Sequence, residues 1–310
     1  VSIRERVENQ KALLSLSRSL NRKHRGLKRR FRVASTLVWS NLHARDIARV
    51  TRVLDAECLK PVLQINPRVV RKPFRPYVCI GWGKERRIDE INGHHQCLLQ
   101  RFGSRVEAIY TGHGIKLLEV QDNEEQPYEV YLDQGLNKEG GLGLSLKNSL
   151  GQRVFTISFS LSERDGGVMY IGAVQGPTNR VENREQVIRA LTKGMHGLRP
   201  KSLVVELALM LARQLGLAKV YAVTNKGHIY QSPRYIGRKR NAVRFDYDAQ
   251  WLEHSGEPVN EHFFQLPLMP VRKDTATLKR SKRRLYTKRY EWLDGLEQQF
   301  AQQLHEVTLH

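Results

Sequence analysis

RVFTISFSLSERDGGVMYIGAVQG, residues 153–176, places two runs rich in Val, Ile, Phe and Tyr on either side of SERDGG. Such runs fit a pleated surface, and the charged, glycine-bearing linker is a turn signal, so the stretch is predicted to be an antiparallel hairpin. Reading backwards, IKLLEV, YEVYL and LGLSLKN repeat the texture from residue 115 onward, with NEEQP and NSLGQ as turns. The five runs predict a meander that begins after Gly112. Reading forwards, REQVIRALTKGMHG and PKSLVVELALMLARQLG carry a helical period, and KVYAVTN, residues 219–225, follows Gly216 with the composition of a buried central strand.

The chain before the meander reads as helical. Residues 1–32 are crowded with Arg and Lys, ending in NRKHRGLKRRFR, with Ile3, Val7, Leu13, Leu14 and Leu16 as a loose apolar stripe, so a basic helical arm is expected there. Leu37, Val38, Ile47, Val50, Val53 and Leu54 continue at helical spacing until the prolines of INPRVVRKPFRPYVCIGWG interrupt it, and ERRIDEINGHHQCLLQRFG resumes it. From 226 to 278 the chain is rich in aromatics and Pro with little period, and it closes on a basic helix around KRSKRRLYTKRYEWLDGLEQQFAQQL. The expectation is an α+β protein: a basic helical region over 1–111, then a mixed β-sheet flanked by helices over 112–310.

The 310 residues include 52 Lys and Arg against 31 Asp and Glu, a formal net charge of +21. That balance points to a polyanionic partner: a phosphate-bearing cofactor, an anionic lipid surface or RNA. Cys58, Cys79 and Cys97 lack CxxC spacing, which argues against a disulfide framework and for a reducing compartment, so the cytoplasm is the expected location. The longest strongly apolar stretch, Leu203 to Ala212, is broken by Glu206 and is far shorter than the ~20 residues of a membrane span. No apolar core of a secretory signal follows Val1, and a start at Val in place of Met leaves residues upstream open.

No GxSxG elbow, HExxH helix or GxxxxGK[ST] loop occurs, which removes the commonest hydrolase and nucleotide-triphosphatase signatures. His94, His95 and Cys97 are ligand types, but adjacent residues on a helix point about 100° apart and nothing completes a coordination shell, so no metal is expected. Lys279, Arg280, Lys282, Arg283, Arg284, Lys288 and Arg289 form a run without an acid, in which Tyr286 and Tyr290 share a helix face. Rings amid cations suit nucleic-acid bases or lipid headgroups. Arg199 and Lys201 flank a helix start at Pro200 that already carries about half a positive charge, so an anion is expected beside them. Glu206 interrupts the apolar face of the same helix, and pairing with Arg213 or another cation would account for it.

KEGGLGLSLKNSLGQRVFTISFSLSERDGGVMYIGAVQGP, IRALTKGMHGLRPKSLVVELALMLARQLG and VYAVTNKGHIYQSPRY, in that order, resemble the VirK/YbjX family of enterobacterial and related Gram-negative proteins. FDYDAQWLEHSGEP, FFQLPL and KRSKRRLYTKRYEWLD fit the same pattern, so the resemblance runs from about Lys72 to Leu293. It implies a setting of virulence and resistance to cationic antimicrobial peptides, at the inner face of the envelope, and no particular reaction.

The order of elements is in turn similar to the core of the GCN-related N-acetyltransferase superfamily. In that core a strand splays from its neighbour, its main chain pairs with the pantetheine arm of a thioester, and the next helix holds the pyrophosphate. The likeness implies an acyl-CoA or acyl-carrier thioester, with Arg199, Lys201 and Ser202 on its phosphates, or Gln175 and Gly176 of the loop QGPTNR in their place. It also implies an acid and a base at the exit of KVYAVTN, where Asn225, His228, Tyr230 and Tyr235 are available, with Glu206 as a second candidate. The superfamily's glycine-rich phosphate loop is absent, and REQVIRALTKGMHG is an extra helix.

Overall fold

The computed structural model describes residues 3–112, 114–123, 125–235 and 245–308, with side chains from Lys11 onward. Val1, the side chains of Ile3 and Val7, and residues 236–244 of the aromatic-rich stretch lie outside the described residues.

Five strands, β1 (Ile115–Gln121), β2 (Pro127–Asp133), β3 (Leu142–Lys147), β4 (Arg153–Ser162) and β5 (Val168–Gln175), form the expected antiparallel meander. Two helices, α7 (Arg184–Gly194) and α8 (Pro200–Gln214), then carry the chain back to β6 (Lys219–Val223), which lies parallel to β5. A hairpin of β7 (Glu257–Asn260) and β8 (Phe263–Leu266) closes the sheet, with β8 antiparallel to β6, in the order β1-β2-β3-β4-β5-β6-β8-β7. KVYAVTN is thus an interior strand, as its composition implied. The closing hairpin and the helix before it, α9 (Tyr247–Glu253), fall in the stretch where no period was expected. Strands of four residues such as EPVN and FFQL are too short to show one.

Upstream lie α1 (Ile3–Leu20), α2 (Gly26–Leu42), α3 (Ala44–Leu54), α4 (Lys60–Ile65), α5 (Lys84–Phe102) and α6 (Val106–Tyr110). The basic arm is helical, as expected, and divides between α1 and the start of α2. Gly26, at φ +58°, takes a left-handed conformation at the break, and Asn21 Nδ2 donates to Thr36 Oγ1 at 2.9 Å across the turn.

α5 covers the sheet face that carries Ser160 and Ser162: the Tyr77 hydroxyl lies 2.7 Å from Ser160 Oγ, and Gly93 of α5 packs beside Ser162. The Leu161 N–H of β4, past the last pairing with β3, donates to His94 Nδ1 at 3.1 Å. Desolvation lowers the His94 and His95 imidazoles, His95 to about 4, and both pack as neutral core groups. α8 lies against β3 to β6 on the opposite face, with every residue from Leu203 to Ala212 buried except Glu206. The last helix, α10 (Arg280–Val307), packs beside α8 through Leu293, Leu296, Phe300 and Leu304. One hydrophobic core joins these layers, from Leu20 to Leu304.

The register between β4 and β5 slips at Gly172, since Ser158 faces Ala173 while Phe159 faces Ile171. The Glu139 carbonyl, on the connection between β2 and β3, fills the hollow, and a Cβ at position 172 would lie 1.8 Å from that oxygen. Gly172→Ala is accordingly expected to destabilise the protein by at least ~1–3 kcal/mol, whereas Gly176→Ala, whose Cβ would meet Phe155 at 3.6 Å, is tolerated. Thermal unfolding followed by circular dichroism compares the two.

Candidate functional site

β5 and β6 pair only over Val168–Ile171 and Lys219–Ala222. Past the bulge, Ala173, Val174 and Gln175 keep their partners on β4 and have none on β6. Side chains from three segments meet at this divergence: Glu139, then His228 and Tyr230 from the turn after β6, and Tyr247 from α9. Burial raises the Tyr247 hydroxyl, opposed by hydrogen bonding from the Val174 main chain. The His228 ring stacks on Tyr247 at 4.9 Å, and the Tyr230 hydroxyl donates to the Glu139 carboxylate. Tyr235 meets Tyr230 edge-on at 5.2 Å, with Lys138 Nζ 4.7 Å from its ring.

Burial decides the electrostatics here. Desolvation raises the Glu139 carboxyl, opposed by main-chain hydrogen bonding and the Tyr230 hydroxyl, and it lowers the nearby Lys72 ammonium to about 8. His228 falls to about 4 through desolvation, and its Nδ1 accepts the Tyr230 N–H at 3.4 Å. His228 is thus a neutral packing group with one nitrogen engaged, and the Glu139–Tyr230 pair is the better suited to proton exchange. Neither Glu139 nor Tyr247 stands out in the sequence: one sits in the turn KEGG and the other in FDYDAQ.

Asn225 is a positioning residue. Its N–H donates to Asp248 at 2.7 Å, its Nδ2 to Asp246 at 2.8 Å, and its Oδ1 accepts the Tyr247 N–H at 2.8 Å. Asp246 caps α9 by accepting the Ala249 N–H at 3.1 Å. These bonds fix Tyr247 against Val174.

The anion beside Arg199 and Lys201 belongs to the chain itself. Glu253, the last residue of α9, lies 2.7 Å from Arg199 and 3.8 Å from Lys201. Arg199, Ser202 and Glu206 converge with Arg272 and Arg289 on a cleft of about 350 Å³. Glu206 does not pair with Arg213, which binds Glu297 at 2.7 Å, and its carboxylate lies 3.7 Å from His254 Nδ1 instead. Gln175 lines a second cleft of about 760 Å³ with Lys147, Arg153, Arg180 and Arg184, and Gly176 follows it in the chain. The two phosphate-binding candidates of the sequence therefore lie at separate clefts.

Lys279, just before α10, and Arg280, Lys282, Arg283, Arg284 and Lys288 on it are exposed, while Arg289 turns back to donate twice to the His196 carbonyl, at 3.0 and 2.9 Å. Tyr286 and Tyr290 share a face with ring centroids 5.8 Å apart. Lys273 and Arg289 attend the first ring and Arg272 the second.

A family model described as a protein of unknown function (DUF535) matches residues 25–302. The chain belongs to this family. An uncharacterised protein of Escherichia coli (strain K12), YbjX, is 32% identical over 247 residues, covering 78% of this chain and 74% of that protein. Two uncharacterised proteins of Haemophilus influenzae are similar over shorter spans: 30% identical over 158 residues, 51% of each chain, and 35% over 140 residues, 45% of this chain and 44% of the other. No solved structure matches significantly. Among the described residues, no helix is long and apolar enough to cross a membrane.

Desolvation lifts Glu206 to about 7. The native state then keeps a proton that the unfolded chain releases above its ordinary value near 4.5, so ionisation of Glu206 lowers stability as pH rises from 4.5 to 7. Glu206→Gln is expected to leave the thermal midpoint unchanged at about pH 4 and to raise it at about pH 8, by about 2–4 °C for each kcal/mol removed. Melting curves across that range check the sign.

Proposed function

We propose that the protein transfers an acyl group from a CoA or carrier-protein thioester to an amine or hydroxyl, with the thioester arm entering where β5 and β6 part. The observation that carries the reading is the main-chain edge of β5 past Gly172, which has no partner strand among the described residues and lies beside the Tyr247 hydroxyl at Val174. An arm bearing amides would displace that hydroxyl and pair along the edge. The meander, the single parallel pair and the closing antiparallel hairpin support the likeness to an acetyltransferase core.

α9 holds both places that such a ligand would need. Tyr247 lies on the strand edge and Glu253 on the two cations at the start of α8, where phosphates would exchange for it. Glu139 serves as general base: it takes the proton of the acceptor as the nitrogen or oxygen attacks the thioester carbonyl. The departing thiolate takes the proton of the Tyr230 hydroxyl, which Glu139 then restores. The products are the acylated acceptor and the free thiol.

A second reading is a non-catalytic protein that holds RNA or anionic lipid through its basic helices, and the exposed cations from Lys279 to Lys288 favour it. On either reading the proposed setting is the cytoplasm at the inner membrane, in the virulence and peptide-resistance context of the family resemblance.

Calorimetric titration with acetyl-CoA and longer acyl-CoAs is expected to give heat that Arg199→Glu with Lys201→Glu abolishes. Glu253→Gln, which frees the cations, should tighten binding, and Glu139→Gln should retain binding while lowering turnover by about 10²-fold or more. No heat at about millimolar CoA would overturn the reading, since that is the weak end of specific binding. Neutralising Lys279 to Lys288 should instead flatten the salt dependence of polyanion binding if the second reading holds.

A further inference from the structure

α2 is built inside out. Its buried residues are Thr36 and Ser40, and Thr36 Oγ1 accepts from Asn21 at 2.9 Å and from Arg71 at 3.0 Å. Trp39 packs against the core and Val33 and Leu37 are half-buried, but four large apolar residues face away from it: Leu27 is 80% exposed, Phe31 77%, Val38 61% and Leu42 77%. At about 100° per residue these four fall within roughly 60° of arc, and exposed Ala34 borders them. A surface helix ordinarily turns such a stripe to the core and its polar residues to water. Single exposed leucines need no explanation, but a row along one helix marks a contact surface.

The charge around the row is of one sign. Arg22, Lys23, Arg25, Lys28, Arg29, Arg30 and Arg32 are all exposed, and no Asp or Glu occurs between residues 21 and 45. We infer that α2 is an interfacial helix that lies on an anionic bilayer, with its apolar row among the acyl chains and its cations at the headgroups. A second copy of the chain is a poor occupant, because it would set these cations against one another. Nucleic acid would match the charge, but the row offers one aromatic ring and otherwise aliphatic side chains, on which bases do not stack. A bilayer satisfies both features along the row, about 22 Å at ~1.5 Å per residue, while long Lys and Arg stems reach from the apolar layer to phosphate. The inference stands apart from the thioester reading and uses other residues than the α10 tract.

Flotation of the full chain with vesicles of phosphatidylglycerol and phosphatidylethanolamine, against phosphatidylcholine alone, tests it. Binding is expected on the anionic vesicles only. Leu27→Ser with Phe31→Ser should weaken it by about tenfold or more and leave the thermal midpoint unchanged, because both side chains are exposed. Phe31→Trp should shift its emission to the blue on anionic vesicles, and should still do so when Lys282, Arg283 and Arg284 are changed to Gln. An unshifted emission, or serine variants that bind as the wild type does, would overturn the inference. So would serine variants that lose RNA binding and keep vesicle binding, or that dissolve a wild-type dimer.

Discussion

The missing side chain at Gly172 governs the centre of the sheet. Because the Glu139 carbonyl occupies the space a Cβ would take, β5 bulges there, its pairing with β6 stops, and the Glu139 carboxyl is carried to the opening. The two residues that follow obey the same constraint: a Cβ at Gly140 would meet the Phe159 main chain at 2.5 Å, and one at Gly141 the His94 ring at 2.1 Å. Main chain packs on main chain at Gly140 and Gly172, and a ring packs on main chain at Gly141. Only glycine permits that approach.

The second constraint is electrostatic. A helix start flanked by two cations and buried along its length from Leu203 needs a counter-charge, and α9 supplies one in Glu253. The same short helix delivers Tyr247 to the strand edge, so a single element answers an unpaired main chain at one end and an uncompensated charge at the other. Nearby, burial moves Glu206 and His254 in opposite directions, one to about 7 and the other to about 4, so both are pushed toward their neutral forms in a cleft whose cations are Arg199, Arg272, Lys273 and Arg289.

The meander, the crossover helices and the interior strand KVYAVTN were legible because each is long enough to show its period or its bulk of β-formers. The two four-residue strands of the closing hairpin were not, since alternation has no room to appear in them. The cations at the start of α8 were legible as a local charge anomaly, but their partner lies more than fifty residues further on, and nothing local to Glu253 announces it. Glu139 belongs to no catalytic motif or period of the sequence, and its shifted carboxyl arises from burial that the sequence does not display. Conversely, the adjacent His94 and His95, which invite a metal, are absorbed by the fold: one accepts the buried Leu161 N–H that β3 leaves unpaired on β4, and the other bonds its own helix at the Ile91 carbonyl.

The fastenings of α9 are unlike at its two ends. Near β6 they are amide and carboxylate bonds from Asn225, reinforced by the Trp251 indole on the Val223 carbonyl at 2.7 Å in the interior. Toward α8 there is a half-exposed ion pair, of the kind that contributes little in water and fades with added electrolyte. The helix is in effect hinged on one side and bolted on the other, and dissolved salt reaches only the bolt.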